Sequence, residues 1–449
     1  MRFSKQWVAS LLVLCGVGGT SLVNGADWSQ FRGGTRLSHV AEGTPENWQP
    51  AEKPAWRSEL PGAGLSQPIV VDGGIYLTTA VGSGIARPKS MAGGVVDPST
   101  MGRPQIPKEK IKFQLIKLNP QDGSIAWTKT VAEKVPSTGT HASNSYATET
   151  PCGGDGRVFA YFGATGDLAA FDATGKELWK MDLGPQQISN QFGSGASPVL
   201  YGNRLLVPRF NEKEGKLLCL DAADGKELWS SEAREGTSWA TPVVWSNAGK
   251  LEVIAAGNGL VVAFDLESGA ERWRLGGIDS SFSCSVVADA AGVYFGTSSP
   301  MSKGPIYAVK AGHTGDLSLA ENTTSSDAVL WSKTKSGAGM PSPIVVDDLL
   351  YFFGNTVTCY EKQTGAEVYR KRMPAGQMAA GCPLVVGKTI LVVNETGKLF
   401  SLPAGRDFVE TEGMQVGSAD EVFWSTPALA NGTLLVRSSE ALYAIPGKK

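Results

Sequence analysis

Gly175-Lys-Glu-Leu-Trp179, Gly225-Lys-Glu-Leu-Trp229 and Gly269-Ala-Glu-Arg-Trp273 are three copies of one short unit. Each follows an apolar run that ends in aspartate, at Asp172, Asp221 and Asp265. Further upstream, each is preceded by a hydroxyl residue and proline: Thr150-Pro151, Ser197-Pro198 and Thr241-Pro242. The complete repeat is a polar residue with Pro, three apolar strands, a glycine turn and a strand carrying an aromatic. Weaker copies run from Gln67-Pro68 to Trp127, from Cys284-Ser285 to Trp331, from Ser342-Pro343 to Tyr369, and from Cys382-Pro383 to Gly405-Arg-Asp-Phe-Val409. A last copy begins at Thr426-Pro427 and stops after Pro446 with no aromatic strand behind it.

The missing strand has a candidate at the other end of the repeat region. Pro54-Ala-Trp56-Arg-Ser-Glu-Leu60 precedes the first copy and reads as a detached aromatic strand. Seven full units, an eighth lacking one strand and one free strand make a closed ring, which leaves no loose edge to aggregate. Setting aside two apparent insertions, 81–110 and 312–326, leaves about 44 residues per unit, within the roughly 40–50 of propeller blades. The expected fold is all-β, an eight-bladed β-propeller over 54–446, closed by its N-terminal strand. Glycine four residues before the aromatic suits a tight turn that needs a positive φ. Trp56, Trp127, Trp179, Trp229, Trp273 and Trp331 share one repeat position, where a large ring can fill the gap between neighbouring blades.

Composition narrows the function. The 449 residues carry 41 Lys and Arg against 43 Asp and Glu, so no basic surface for nucleic acid is expected. Only three histidines occur, His39, His141 and His313, which disfavours a histidine-rich metal centre. Residues 1–25 read as a cleavable signal peptide, with Arg2 and Lys5 before a short apolar run and cleavage expected after Gly25. That run is shorter than a membrane span, and a lipid anchor on Cys15 is disfavoured because no small residue precedes it. The chain is therefore expected to be exported to the periplasm or cell envelope and to be soluble there, with no transmembrane span. Trp28 and Phe31 in the otherwise polar segment 26–53 predict docking onto the propeller. The Pro- and Gly-rich insertion 81–110 predicts a flexible loop.

The Asp, Gly and Trp pattern, repeated around a ring, resembles the quinoprotein-like propellers with PQQ-like repeats. That family includes pyrroloquinoline-quinone (PQQ) alcohol dehydrogenases and the non-catalytic propeller lipoprotein of the outer-membrane β-barrel assembly machinery. The dehydrogenases hold the quinone between a Trp and an adjacent Cys-Cys disulfide, beside a Ca²⁺ ion and an Asp base. The chain has no Cys-Cys pair. The resemblance therefore implies a non-catalytic scaffold with no cofactor, which binds another envelope protein or a small ligand at the channel mouth. The alternative is a PQQ- and Ca²⁺-dependent dehydrogenase of alcohols or sugars, with Trp239 as stacking platform and Glu149 with Asn144 as cation ligands.

Read by repeat position, the loops entering the blades converge on the channel. They bring Tyr146 and Glu149, Trp239, Phe282, Met340 and Trp424 to its mouth. Strand-start residues Gln67, Thr150, Ser197, Thr241, Cys284, Ser342, Cys382 and Thr426 form a small polar ring below them. The stretch from His141 through Asn144 to Glu149 is the densest polar cluster, in which His141 could act as acid or base and Glu149 could pair with it. His141, Asn144, Tyr146, Glu149, Trp239 and Trp424 are the expected binding residues.

Overall fold

The computed structural model describes residues 28–40, 44–85, 87–88, 106–278, 280–299, 302–337, 339–373, 381–418 and 420–448. The expected signal peptide and most of the loop 81–110 lie outside them. Eight sheets form the ring. From the channel outward, blade one is Ile69–Val71, Gly74–Val81, Ile111–Leu118 and Ile125–Lys134. Blades two to seven repeat the antiparallel order, with innermost strands that begin at Cys152, Val199, Val243, Val287, Ile344 and Leu384. Blade eight takes three strands from the C-terminus, Ala428–Ala430, Thr433–Arg437 and Ala441–Pro446, and its fourth from the N-terminus, Trp56–Glu59. Trp56 opposes Ala444 and Glu59 opposes Ala441, so the detached strand closes the ring.

The repeat has a local physical basis. In the glycine turn, Asp172 accepts hydrogen bonds from the backbone N–H groups of Thr174 and Lys176 and from the Thr174 hydroxyl. The turn shifts the register by one residue between third and fourth strands of the same blade, at Ala170/Phe171, Cys219/Leu220 and Ala263/Phe264. The turn glycine has a second role that the periodicity alone does not show. A Cβ on Gly123 (φ 73) would lie 2.5 Å from the Trp56 ring of the previous blade, and one on Gly365 (φ 68) 2.6 Å from Trp331. The tryptophans also hydrogen-bond across the same gap: Trp56 Nε1 donates to Pro120 O (3.1 Å), Trp179 Nε1 to Ala222 O (3.1 Å) and Trp331 Nε1 to Lys362 O (2.9 Å).

Two parts of the ring depart from the expected pattern. The outer strand of blade seven is Met414–Gln415, not 405–409. Phe408 instead turns back against Tyr369 of blade six (ring centroids 5.6 Å apart), and Gly405 N–H donates to Tyr351 Oη (2.9 Å). The side chain that seemed to mark a strand is spent on sealing an inter-blade seam. In blade four, Gly315–Asp316 from the insertion adds a fifth strand, parallel to Glu271–Leu275.

The segment before the ring lies against it. Trp28 is fully buried and pairs with Val70, and Trp48 Nε1 donates to Gly432 O (3.0 Å). Residues 30–40 cross one end of the channel. Arg32, Leu37 and Ser38 all have positive φ (57°, 47° and 80°), which strains non-glycine residues by about 1–3 kcal/mol each. Contacts with several blades hold the arm in this shape. Arg32 N donates to Gln67 Oε1 (2.8 Å), Leu200 N donates to Gln30 Oε1 (2.6 Å), and Val40 N donates to Val385 O (2.9 Å).

Candidate functional site at the channel mouth

A belt of hydrogen bonds runs around the channel where each blade begins. The backbone N–H of Gln67 donates to Thr150 Oγ1, that of Thr150 to Ser197 Oγ, and that of Ser197 to Thr241 Oγ1. It continues from Thr241 to Ser285, Ser285 to Ser342, Ser342 to the Cys382 thiol, and Cys382 to Thr426, over distances of 2.8–3.3 Å. At the start of blades one to seven a backbone N–H that would otherwise face the channel is satisfied by the next blade's side chain, a hydroxyl or, from Ser342, the Cys382 thiol. Cys284 is not in this ring. Ser285 takes the position, and the Cys284 thiol donates to Gly296 O (3.2 Å). The five described cysteines are buried and unbonded to one another.

Above the belt lies a cavity of about 570 Å³. Its lining residues that precede the belt positions in sequence, such as Trp424 before Thr426 and Trp239 before Thr241, form the mouth. On the other side, Arg32 reaches the carbonyls that follow belt positions, Val286 O (2.9 Å) and Pro343 O (2.7 Å). Phe31 of the N-terminal arm also lines the cavity. The channel is thus a cup, open at the loop end and floored by the arm.

Four of the six expected residues meet there: His141, Asn144, Trp239 and Trp424. Three inter-blade loops stitch this wall together. Asn144 Nδ2 donates to Phe192 O (2.8 Å), and its Oδ1 accepts from Ser145 N (2.8 Å). Trp239 Nε1 donates to Gly193 O (2.7 Å). His141 packs on Phe192 (4.9 Å), and Phe192 meets Trp239 edge-on (6.3 Å). His141 Nδ1 accepts from Ser143 N (3.2 Å) and lies 2.7 Å from Ser143 Oγ. Burial pulls its pKa below the ordinary histidine value, so the neutral ring is favoured.

Tyr146, Glu149 and Phe282 are not in the lining. Tyr146 is buried against Phe113, with its hydroxyl donating to Thr138 O (3.0 Å). Phe282 is buried against Phe295. Glu149 is also buried and accepts from Gly163 N (2.9 Å), so it does not pair with His141. In the loop that enters blade two, Thr148 and Thr150 line the cavity, whereas the Glu149 side chain between them is buried on the Gly163 backbone. Sequence reading also missed Phe31, Phe192 and Arg32. Only Phe31, in an aromatic-containing polar segment, carried a signal.

These residues do not make the cation site that a PQQ enzyme needs. Among the described residues no carboxylate lines the cavity, and Asn144 is spent on bracing loops. Among the described residues no group of three or more His, Cys, Asp or Glu is placed to hold a metal ion.

Comparison with known families matches the chain over residues 164–327 and 313–405 to the family described as outer membrane protein assembly factor BamB. The matched span covers more than half of the chain. The chain belongs to this family. One BamB-family relative, the assembly factor BamB of Shewanella oneidensis, is 22% identical over 323 residues, covering 69% of this chain and 72% of the relative. The crystal structure of BamB from Moraxella catarrhalis aligns with a TM-score of 0.51 at 17% identity, covering 82% of this chain and 98% of that one. Quinohemoprotein alcohol dehydrogenase from Comamonas testosteroni aligns with a TM-score of 0.60 at 12% identity, covering 94% and 81%. At these identities both structures show the shared propeller alone. Among the described residues no helix is long and apolar enough to cross a membrane.

The buried carboxylate makes one prediction for this BamB-family chain. Desolvation raises the Glu149 pKa above its ordinary value, opposed by hydrogen bonds from Ser194 and Gly163. A raised folded pKa contributes stability that is complete below the unfolded pKa of about 4.3 and is lost as pH rises through the folded value. Glu149→Gln should therefore flatten the fall in stability between about pH 4 and the folded pKa. Urea denaturation at several pH values checks this. An unchanged pH slope in the variant would remove Glu149 as its source.

Proposed function

We propose that this chain is an exported, non-catalytic propeller that binds a cell-envelope protein or a small ligand at the mouth of its channel. The observation that carries this reading is the cup itself. It has an open end and aromatic walls, and among the described residues no carboxylate lines it to hold a cation or act as base. Quinone chemistry needs a held cofactor, a polarising cation and a base for the substrate proton. A rigid ring with varied loops at one end suffices for binding. Membership of the BamB family supports an envelope role, and the near-neutral charge argues against nucleic acid as partner.

The test has two arms. Reconstituted with PQQ and Ca²⁺, the mature protein should not reduce an artificial electron acceptor with primary alcohols or aldoses. A photo-crosslinker at Met340, on the cup lining, should give a discrete envelope adduct in cells. The same probe at Leu178, on the outer strand of blade two, should not. Stoichiometric quinone binding with substrate-dependent dye reduction, lost in Trp239→Ala, would overturn the reading and establish the dehydrogenase.

A further inference from the structure

The belt hydroxyls are only half used. Those of Thr150, Ser197, Thr241, Ser285, Ser342 and Thr426 each accept one backbone N–H. None donates its own proton to any described residue, and all six line the cavity. A hydroxyl has one proton to give and two lone pairs, so the belt offers up to six unspent O–H donors around one axis.

Beneath them is a buried positive charge that forms no ion pair among the described residues. Arg32 is 1% exposed. Its guanidinium is held only by neutral acceptors: Val286 O, Pro343 O, Leu37 O and Ser38 Oγ. A second guanidinium, Arg437, is also 1% exposed and lies behind the wall residues Leu65 and Gln67. It donates to Ser66 O (3.0 Å), Ser66 Oγ (2.6 Å) and Thr78 O (3.0 Å). Among the described residues no carboxylate forms an ion pair with either arginine. Two acids lie at the mouth, behind its wall: Glu149 beside the lining residue Ser194, and Glu395, which accepts from Trp424 Nε1 (3.3 Å). Burying an unpaired charge costs several kcal/mol. The Arg32 charge beneath the belt favours O–H dipoles that point away from it, toward whatever negative group enters.

We propose that the floor of the cup is an oxyanion subsite, in which belt hydroxyls donate to a carboxylate or phosphate group held above Arg32. This inference rests on the binding-propeller reading and names the chemistry of what the cup takes. A free small anion and the carboxylate end of a larger molecule present the same group, and the probes below separate them.

Intrinsic tryptophan fluorescence, reporting on Trp239 and Trp424, can follow titration of the whole mature chain. The probes are acetate, inorganic phosphate, N-acetylphenylalanine and its neutral amide. N-acetylphenylalanine should bind at least tenfold more tightly than the amide, and phosphate should compete with it. Acetate binding as tightly as N-acetylphenylalanine assigns the site to free anions, whereas much weaker binding assigns it to a carboxylate carried on an apolar body. Thr241→Val and Ser342→Ala should each weaken the acid about threefold, and Arg32→Met at least fivefold, with the amide unaffected. Circular dichroism checks that each variant folds, and if one does not, the acid–amide ratio in the native chain decides. Equal affinity for acid and amide, or a bound acid that phosphate does not displace, overturns the subsite. Failure here leaves the Met340 crosslink untouched, and failure of that crosslink leaves the acid–amide ratio untouched, so the two proposals fall separately.

Discussion

Deletion of residues 54–60 should destabilise the ring by on the order of 5 kcal/mol or more, although it removes only one short strand. The strand Trp56–Glu59 is the sole partner of the outer edge of Ala441–Pro446, whose first five residues are all buried. Leu60, 5% exposed, would be lost with it. So would the Trp56 ring over Gly123 and its hydrogen bond to Pro120, which bridge blade eight to blade one. Truncating one buried leucine costs about 2–5 kcal/mol, and a partly buried tryptophan adds to that. An unpaired apolar edge also invites aggregation. Excision of 89–105, joining Pro88 to Ile106, removes more residues and should cost far less. Urea denaturation of both deletions decides the matter. Equal losses would deny the N-terminal strand its closing role.

The second large effect separates tryptophans that look equivalent. Trp273→Ala should cost about 3–5 kcal/mol, the range for a fully buried large aromatic, and Trp127→Ala about half as much. Trp273 is 1% exposed, because the added strand Gly315–Asp316 lies directly beside it. Its indole N–H donates to Glu252 Oε2 (2.8 Å) rather than to the next blade, and Glu252 is itself 1% exposed. Trp127 is only partly buried and donates to Ala173 O (3.3 Å). Trp273→Phe separates the contributions. It keeps most of the ring but removes a donor from a buried carboxylate, which costs about 1–3 kcal/mol. Equal losses at Trp127 and Trp273 would mean that repeat position, not burial, sets the energy.

The structure also corrects two local readings in instructive ways. Phe408 lies in the right place for an aromatic strand, yet it covers Tyr369, because the seam beside blade six lacks a tryptophan to fill it. Cys284 and Ser285 both suit a strand start. Only backbone register decides that the serine joins the belt and the thiol faces inward.

The amino-acid sequence by itself determined the ring: the number of blades, the N-terminal strand that closes it and the turn glycine of five blades. These follow from short-range chemistry repeated at a fixed period, in which the same Asp, Gly and Trp recur about every 44 residues and each copy votes for the same geometry. The cup was legible only in part. His141, Asn144, Trp239 and Trp424 could be placed because they precede strand starts, where propeller loops converge. Tertiary structure alone decided that Glu149 turns away, that Phe192 joins the wall, and that Arg32 floors the channel. The Arg32 guanidinium meets carbonyls more than 250 positions distant in sequence. Such contacts occur once in the chain rather than once per repeat, so no periodicity announces them, and only closure of the ring brings their partners together.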